Sequence, residues 1–377
     1  MHSQGNFRRG RRALIVLFFI GASLAYGLGP NEGQNLKRVG YYVFIGKGDY
    51  KDEFGPKTPS FSLADWTKLI DYLKSRGATT FIPLMTGHRL PYPSRAFPDY
   101  VETDANTAQG VDPQLIIDHA KERRLEVILA LTTTGHCNSY VQDHPEHGIV
   151  NEDGSPRNAL CPNRTGAQGY PLGVLEEVLT RYRNYDGLLI HPPETRPECF
   201  CPECRTIYKQ TTGTDYAAAN PRDRRRFFIQ SYFRFVNELL RRADRLAPLR
   251  VKLMFNCHWL DDDLDLFGVL PKDLAIFYWD YNLNDDYLQG RFQDNLRRYT
   301  RLGRPIWFMP STIPRWWTPA DAALEWGCRQ VARQVEIARS HQIENVGFFV
   351  GAYLQPGSIE LITSAMKSTA GSGRTRE

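Results

Sequence analysis

The chain has 377 residues, 42% of them hydrophobic and 12% aromatic, which is enough to bury a large core and excludes a disordered chain. Of its net charge of +5, four charges come from Arg8, Arg9, Arg11 and Arg12, in a stretch that holds no acid. The remainder is near neutral and carries no basic footprint for nucleic acid.

The arginines precede ALIVLFFIGASLAYG (13–27), an apolar run in which Ser23 and Ala25 form the small-residue pattern of a signal-peptidase site. Residues 1–25 therefore read as a signal peptide or membrane anchor. The run falls short of the about 20 residues of a spanning helix. Export is expected, periplasmic or extracellular, with membrane contact only through an uncleaved 13–27 segment. The folded domain is expected over 36–370, followed by a disordered tail over 371–377.

From residue 38 one unit repeats: an apolar stretch, a polar loop, then an amphipathic stretch. RVGYYVFI (38–45) leads to the helical pattern SLADWTKLIDYLKSRG (62–77), and TTFIPLM (79–85) leads to VDPQLIIDHAKERR (111–124). EVILALTTT (126–134) and YDGLLIHP (185–192) follow, then a long helical pattern over 224–246 and RVKLMFN (250–256). LAIFYWDY (274–281), PIWFMPS (305–311), a helix over 319–341 and NVGFFVGAY (345–353) complete the series. Near-continuous hydrophobicity is the mark of parallel strands buried on both faces. Asp112 with Pro113 and Thr318 with Pro319 mark helix starts, and Gly77 marks a stop.

Eight strands, each with a following helix, give an α/β chain of one (β/α)8 TIM barrel. An open doubly wound sheet is the other arrangement, but GKGDYKDEFG lacks the glycine pattern of a dinucleotide turn.

A barrel of this kind builds its site from loops at the C-terminal ends of the strands. Those ends carry Asp49, His88, Arg89, His136, Asn138, His191, Glu194, His258, Trp259, Asp261, Asp280, Asn282, Arg315, Trp316, Trp317 and Tyr353. Any one of them could be a solvated loop residue. Together they outline a polar cleft with aromatic walls, suited to a sugar whose apolar faces stack on rings while its hydroxyls need partners. The expected substrate contacts are His88, Arg89, His136, Asn138, His191, His258, Trp259, Asn282, Trp316 and Tyr353.

Glu194 stands just past the fourth strand, where a carboxylic acid could protonate a departing glycosidic oxygen if partial desolvation raises its pKa. Its alternative role is a surface pair with Arg196. A second carboxylate is sought first at Asp280, then at Asp261 or Asp262; their separation from Glu194 would decide between inversion and retention. Behind Glu194, the spacing Cys199-x-Cys201-x-x-Cys204 resembles a ligand knuckle, and Cys161 upstream supplies a fourth thiol. Four sulfurs would close a structural Zn2+ site without an open position. Disulfides, favoured by export, and unpaired core thiols stay open. Cys137, Cys257 and Cys328 read as buried apolar residues.

LCPNR (160–164), YDGLLIHPPE (185–194) and CFCPECRTIY (199–208), in that order, resemble a stretch of glycoside hydrolase family 42 β-galactosidases and related hypothetical glycosidases. The likeness covers about 50 residues. It implies zinc ligands at Cys161, Cys199, Cys201 and Cys204, and an acid/base at Glu194. Where the family has asparagine before that glutamate this chain has Pro193, and PIWFMPSTIPRWW holds no carboxylate where the family's nucleophile belongs.

Cleavage of an oligosaccharide or glycoside is the expected activity, with a carbohydrate-binding barrel that lacks the nucleophile as the alternative. Other hydrolase chemistry is disfavoured. GYYVFIG has no His-x-His pair for a metal-dependent amidohydrolase, and no Gly-x-Ser-x-Gly elbow occurs.

Overall fold

The computed structural model describes residues 36–45, 62–87, 89–101, 111–194, 197–256, 260–310, 312, 324–350 and 361–366. The expected leader over 1–25 and tail over 371–377 lie outside them. Among the described residues no helix is long and apolar enough to cross a membrane.

In chain order the elements are β1 (Arg38–Phe44), α1 (Leu63–Ser75), β2 (Thr80–Leu84), α2 (Pro113–Glu122), β3 (Glu126–Thr132) and α3 (Asn138–Asp143). Next come β4 (Gly148–Val150), β5 (Pro156–Leu160), α4 (Gly169–Arg181), β6 (Gly187–His191), α5 (Pro202–Thr212) and α6 (Pro221–Leu246). The chain continues through β7 (Val251–Asn256), β8 (Ala275–Trp279), α7 (Asp285–Gln289), α8 (Arg291–Thr300), β9 (Ile306–Met309), α9 (Leu324–Ser340) and β10 (Asn345–Val350).

Local chemistry sets several boundaries. Ser62 and Asp65 bond reciprocally in a capping box at the start of α1. Asp112 caps α2 ahead of Pro113, and Asn220 caps α6 ahead of Pro221, so α6 begins before the apolar pattern at 224. Gly77 adopts φ +88° where the chain leaves α1. The helix start proposed at Thr318 and Pro319 lies outside the described residues.

Eight strands close a barrel in the order β1-β10-β9-β8-β7-β6-β3-β2, all pairs parallel. This is the expected (β/α)8 architecture. The strands left out, β4 and β5, form an antiparallel hairpin in the β3–β6 connection. The hairpin is absent from the sequence-based expectation, although its turn holds Asp153 and a Gly154 at φ +87°, a turn-forming pair.

Side-chain alternation splits each strand between two cores. Tyr42, Ile82, Ile128, Leu189, Leu253, Phe255, Phe277 and Trp307 fill the barrel interior. Val43, Phe81, Leu129, Ile190, Met254, Tyr278 and Phe308 face the helices. Those helices answer with stripes such as Trp66, Leu69, Ile70 and Leu73 of α1, at i, i+3, i+4 and i+7.

One glycine is a condition of interior packing. A Cβ on Gly347 would lie 2.1 Å from Cζ of Phe277, a fully buried ring stacked on Phe255 at 4.6 Å. Gly347→Ala should therefore cost about 1–3 kcal/mol through overpacking. Denaturant unfolding with no loss of stability would disprove this steric account.

Candidate functional site

β6 delivers the central residue. Leu188 and Ile190 face the helices and Leu189 faces the interior, so His191 points inward at the C-terminal mouth. Its ring packs 4.7 Å from Phe255, above the Phe255–Phe277 stack. Its carbonyl accepts hydrogen bonds from the Thr133 amide and hydroxyl, each at 3.1 Å, which fixes the strand end.

Both ring nitrogens are engaged. Tyr42, reaching from the non-adjacent strand β1, has its hydroxyl 3.0 Å from Nδ1, and Nε2 lies 3.2 Å from Oε1 of Glu194. Burial lowers the His191 pKa, with contact to Glu194 working the other way. The neutral tautomer that receives the Tyr42 proton at Nδ1 and donates Nε2–H to Glu194 satisfies every partner.

A second imidazole reaches the same carboxylate from the loop after β3. His136 Nε2 is 3.8 Å from Glu194 Oε1, and the two imidazole rings lie 5.1 Å apart. A close backbone approach makes this possible. A Cβ on Gly135 would stand 2.6 Å from Cα of Pro193, so the β3 loop presses directly on the residue before Glu194. His136 itself is held at φ +54°, an unusual setting for a residue with a side chain.

Glu194 keeps 45% of its side chain exposed toward the mouth. Desolvation favours its neutral form, but the nearby His136 imidazole and the hydrogen bond with His191 outweigh this and leave its pKa lowered. The expectation of a raised pKa is thus corrected: its surroundings hold the Glu194 carboxyl well below the usual carboxylate range. The mouth is walled by half-buried Trp279 and Tyr281, 4.5 Å apart, and by Phe44 against Phe349 at 5.2 Å, all packed on the interior core. Thr86 and Thr132 pair their hydroxyls at 2.8 Å in the same region.

The two aspartates expected beside Glu194 are hydrogen-bonded to other side chains. Phe277 and Trp279 face the interior while Tyr278 faces the helices, so Asp280 follows Tyr278 outward. Its carboxylate accepts from Tyr278 and Tyr287 hydroxyls at 2.7 and 2.5 Å and from the Asn282 amide at 3.0 Å. Asp261, likewise buried, accepts from Asn256 at 3.0 Å and Tyr299 at 2.7 Å, with α8 covering it. Burial, then the charge of Asp280, raises the pKa of both Tyr278 and Tyr287 and keeps those hydroxyls as donors. Asp262 extends toward Arg225 on the surface. The contacts described for the three aspartates thus run to tyrosine, asparagine and arginine side chains and a backbone amide.

Other expected contacts divide similarly. Arg89 is exposed and donates to the carbonyl of Asp99 at 3.2 Å. Asn138 opens α3, one residue past buried Cys137, whose thiol burial pushes up to about 12. Asn282 accepts the Asn284 amide in a local turn. Cys328, expected in the core, is only half-buried. Asp49, His88, Arg196, Cys257, His258, Trp259, Arg315, Trp316, Trp317 and Tyr353 lie outside the described residues. Tyr42, Phe255, Trp279 and Tyr281 do not stand out in a reading of strand ends; strand alternation is the signal that reveals them.

The cysteine cluster lies behind the Glu194 loop. Cys161, Cys199, Cys201 and Cys204 are fully buried and unbonded to one another, with all four sulfurs within 4.8 Å. Cys161 Sγ lies 3.5 Å from Cys204 Sγ and 3.9 Å from Cys201 Sγ. Metal–sulfur bonds of about 2.3 Å in a tetrahedron place sulfurs roughly 3.8 Å apart, so this donor set fits an ion held by four thiolates. Three N–H groups face sulfur, from Val150, Cys204 and Asn163, at 3.4, 3.4 and 3.3 Å, the kind of support that thiolate ligands receive.

The strand order defines a closed (β/α)8 barrel. The barrel is similar to a GH20 exo-β-N-acetylglucosaminidase from Vibrio harveyi at TM-score 0.56 and 14% identity, covering 89% of this chain and 54% of that one. It is similar to a β-galactosidase from the haloarchaeon Halorubrum lacusprofundi at TM-score 0.59 and 13% identity, over 90% and 59%. An α-L-fucosidase from Paenibacillus thiaminolyticus matches at TM-score 0.58 and 14% identity, over 88% and 48%. The chain spans about half the length of the first solved structures it matches. No family model and no curated protein matches its sequence.

Asp280→Ala should leave the buried Tyr278 hydroxyl without its acceptor and cost at least about 1–3 kcal/mol. Unfolding curves that superimpose on the wild type would refute the scaffold role of Asp280.

Proposed function

We propose that the protein is a glycoside hydrolase that binds a glycoside or oligosaccharide across the aromatic mouth and uses Glu194 as its proton-transferring carboxylate. The observation that carries this reading is a glutamate at the end of the fourth barrel strand, bonded to His191 and open on one side, above an aromatic-lined barrel whose architecture glycosidases share. It becomes the acid by taking up a proton when a bound sugar covers its open side and strengthens the desolvation that favours its neutral form. Half-buried Trp279 and Tyr281 offer faces for sugar stacking. Asp261 and Asp280 belong to the scaffold in this reading. The outward turn of those two carboxylates favours one second reading, a barrel that binds carbohydrate without cutting it.

Glu194→Gln keeps shape but cannot exchange a proton. It should lower cleavage of unactivated glycosides by about 10²–10⁴-fold while leaving ligand binding and Tm unchanged. Activated aryl glycosides, whose leaving groups need little protonation, should lose less. Equal rates for the variant and wild type on unactivated substrates would remove Glu194 from the chemistry. Calorimetric binding of oligosaccharides without turnover by the wild type would establish the binding-only reading.

The cysteine cluster completes the proposal. The family 42 likeness and the sulfur spacing support one structural Zn2+ held by Cys161, Cys199, Cys201 and Cys204. Bound there, the ion would tie the β4–β5 hairpin to the start of α5 and steady the segment that follows Glu194. Cys201→Ser should lose one equivalent of zinc and several degrees of Tm, since binding to the folded chain alone adds to stability. Mass spectrometry that finds all four residues in disulfides in the active protein would exclude zinc. The basic and apolar segment over 8–27 supports an exported protein, in keeping with a polymeric or extracellular glycoside as substrate.

A further inference from the structure

We infer that His136, His191 and Glu194 form a second metal site, at the barrel mouth, for a divalent transition ion such as Zn2+. Their three donor atoms lie within 4.8 Å of one another. Glu194 Oε1 is 3.2 Å from His191 Nε2 and 3.8 Å from His136 Nε2. Ligand bonds of about 2.0–2.2 Å put neighbouring donors roughly 3–3.6 Å apart, so a small inward movement of His136 completes the geometry. Two imidazoles with one carboxylate favour zinc, iron, cobalt or nickel over magnesium or calcium.

The trio is built by tertiary structure. His144, Glu146 and His147 also lie within that limit, but they are neighbours in a single segment, where proximity follows from sequence alone. At the mouth the donors come from the ends of two strands, brought together by the Gly135–Pro193 contact and the left-handed backbone at His136. With Nε2 of His191 bound to the ion, the ring proton sits on Nδ1 and is donated to the Tyr42 oxygen, the partner a metal-bound imidazole needs for its other nitrogen, and this contact aims Nε2 at the site. The exposed side of Glu194 leaves coordination positions for water or a sugar hydroxyl.

A carboxylate bound to the ion cannot exchange a proton, so metal occupancy and cleavage through Glu194 exclude each other. That regulatory half rests on the function proposed above; the binding half does not.

Wild-type protein, His136→Asn and Cys201→Ser are stripped with chelator, dialysed against buffered free Zn2+ or Co2+, and assayed for bound metal. Asparagine tolerates the left-handed backbone and removes the imidazole. His136→Asn should bind one equivalent less than wild type, while Cys201→Ser retains the mouth ion. The Co2+ difference spectrum between wild type and His136→Asn should show weak d–d bands without a sulfur charge-transfer band. If His136→Asn does not fold, Glu194→Gln supplies the same subtraction. Equal stoichiometry in wild type and variant overturns the site, whatever the state of the cysteine cluster. In the wild type, added Zn2+ should suppress cleavage of unactivated glycosides in step with occupancy, with activated aryl glycosides losing less, and a rise in rate would overturn the exclusion. Should the protein prove to cleave no glycoside, metal stoichiometry still decides the binding half.

Discussion

Side-chain alternation in a closed parallel barrel is the constraint on which the rest of this molecule depends. Every inward position is matched by an outward one on the next residue, and closure removes any freedom to slide a strand by one. His191 therefore enters the mouth because Leu189 fills the interior below it, and Asp280 leaves the mouth because Phe277 and Trp279 have taken the inward positions. The same rule places the Tyr42 hydroxyl across the interior from β1, under the imidazole of His191. Chemistry at the mouth is thus decided by packing two and four residues earlier in each strand.

Much of the architecture was legible from residues alone. Strands buried on both faces leave unbroken apolar runs, and all eight barrel strands carry them. Capping pairs such as Asp112 with Pro113 locate helix starts because a side-chain oxygen there satisfies an otherwise unpaired amide. The short hairpin β4–β5 escaped because Pro156–Leu160, Pro-Arg-Asn-Ala-Leu, is short and follows no simple alternation. Its pairing is fixed by contacts remote in sequence, among them the Leu160 amide on the Thr134 carbonyl and the Cys161 amide on the His147 carbonyl.

The candidate site was legible only in part. Glu194, His136 and His191 could be named from their places after strands, yet their convergence depends on Gly135 meeting Pro193, a contact between segments far apart in the chain. Electrostatic state was less accessible still. Desolvation alone would keep Glu194 neutral; only the two imidazoles, visible in three dimensions, reverse that. Asp261 and Asp280 show the converse error. A carboxylate just beyond a strand looks available until its neighbours Tyr278, Tyr287 and Tyr299 are seen to occupy it.

The cysteine lobe has a different relation to the barrel. Ile149, Ala159, Phe200, Tyr208, Tyr216, Phe227 and Phe228 pack with the four thiols as a core of their own, separate from the interior and helix-facing cores. A segment with a private core can open as a cooperative unit while the remainder stays folded. The β4–β5 hairpin and the chain over 199–228 form that core, joined to the barrel through α6, whose next turn packs in the helix-facing core, and through the Glu194 loop. If the lobe opens before the barrel, native-state proteolysis should cut first within 148–160 or 199–220.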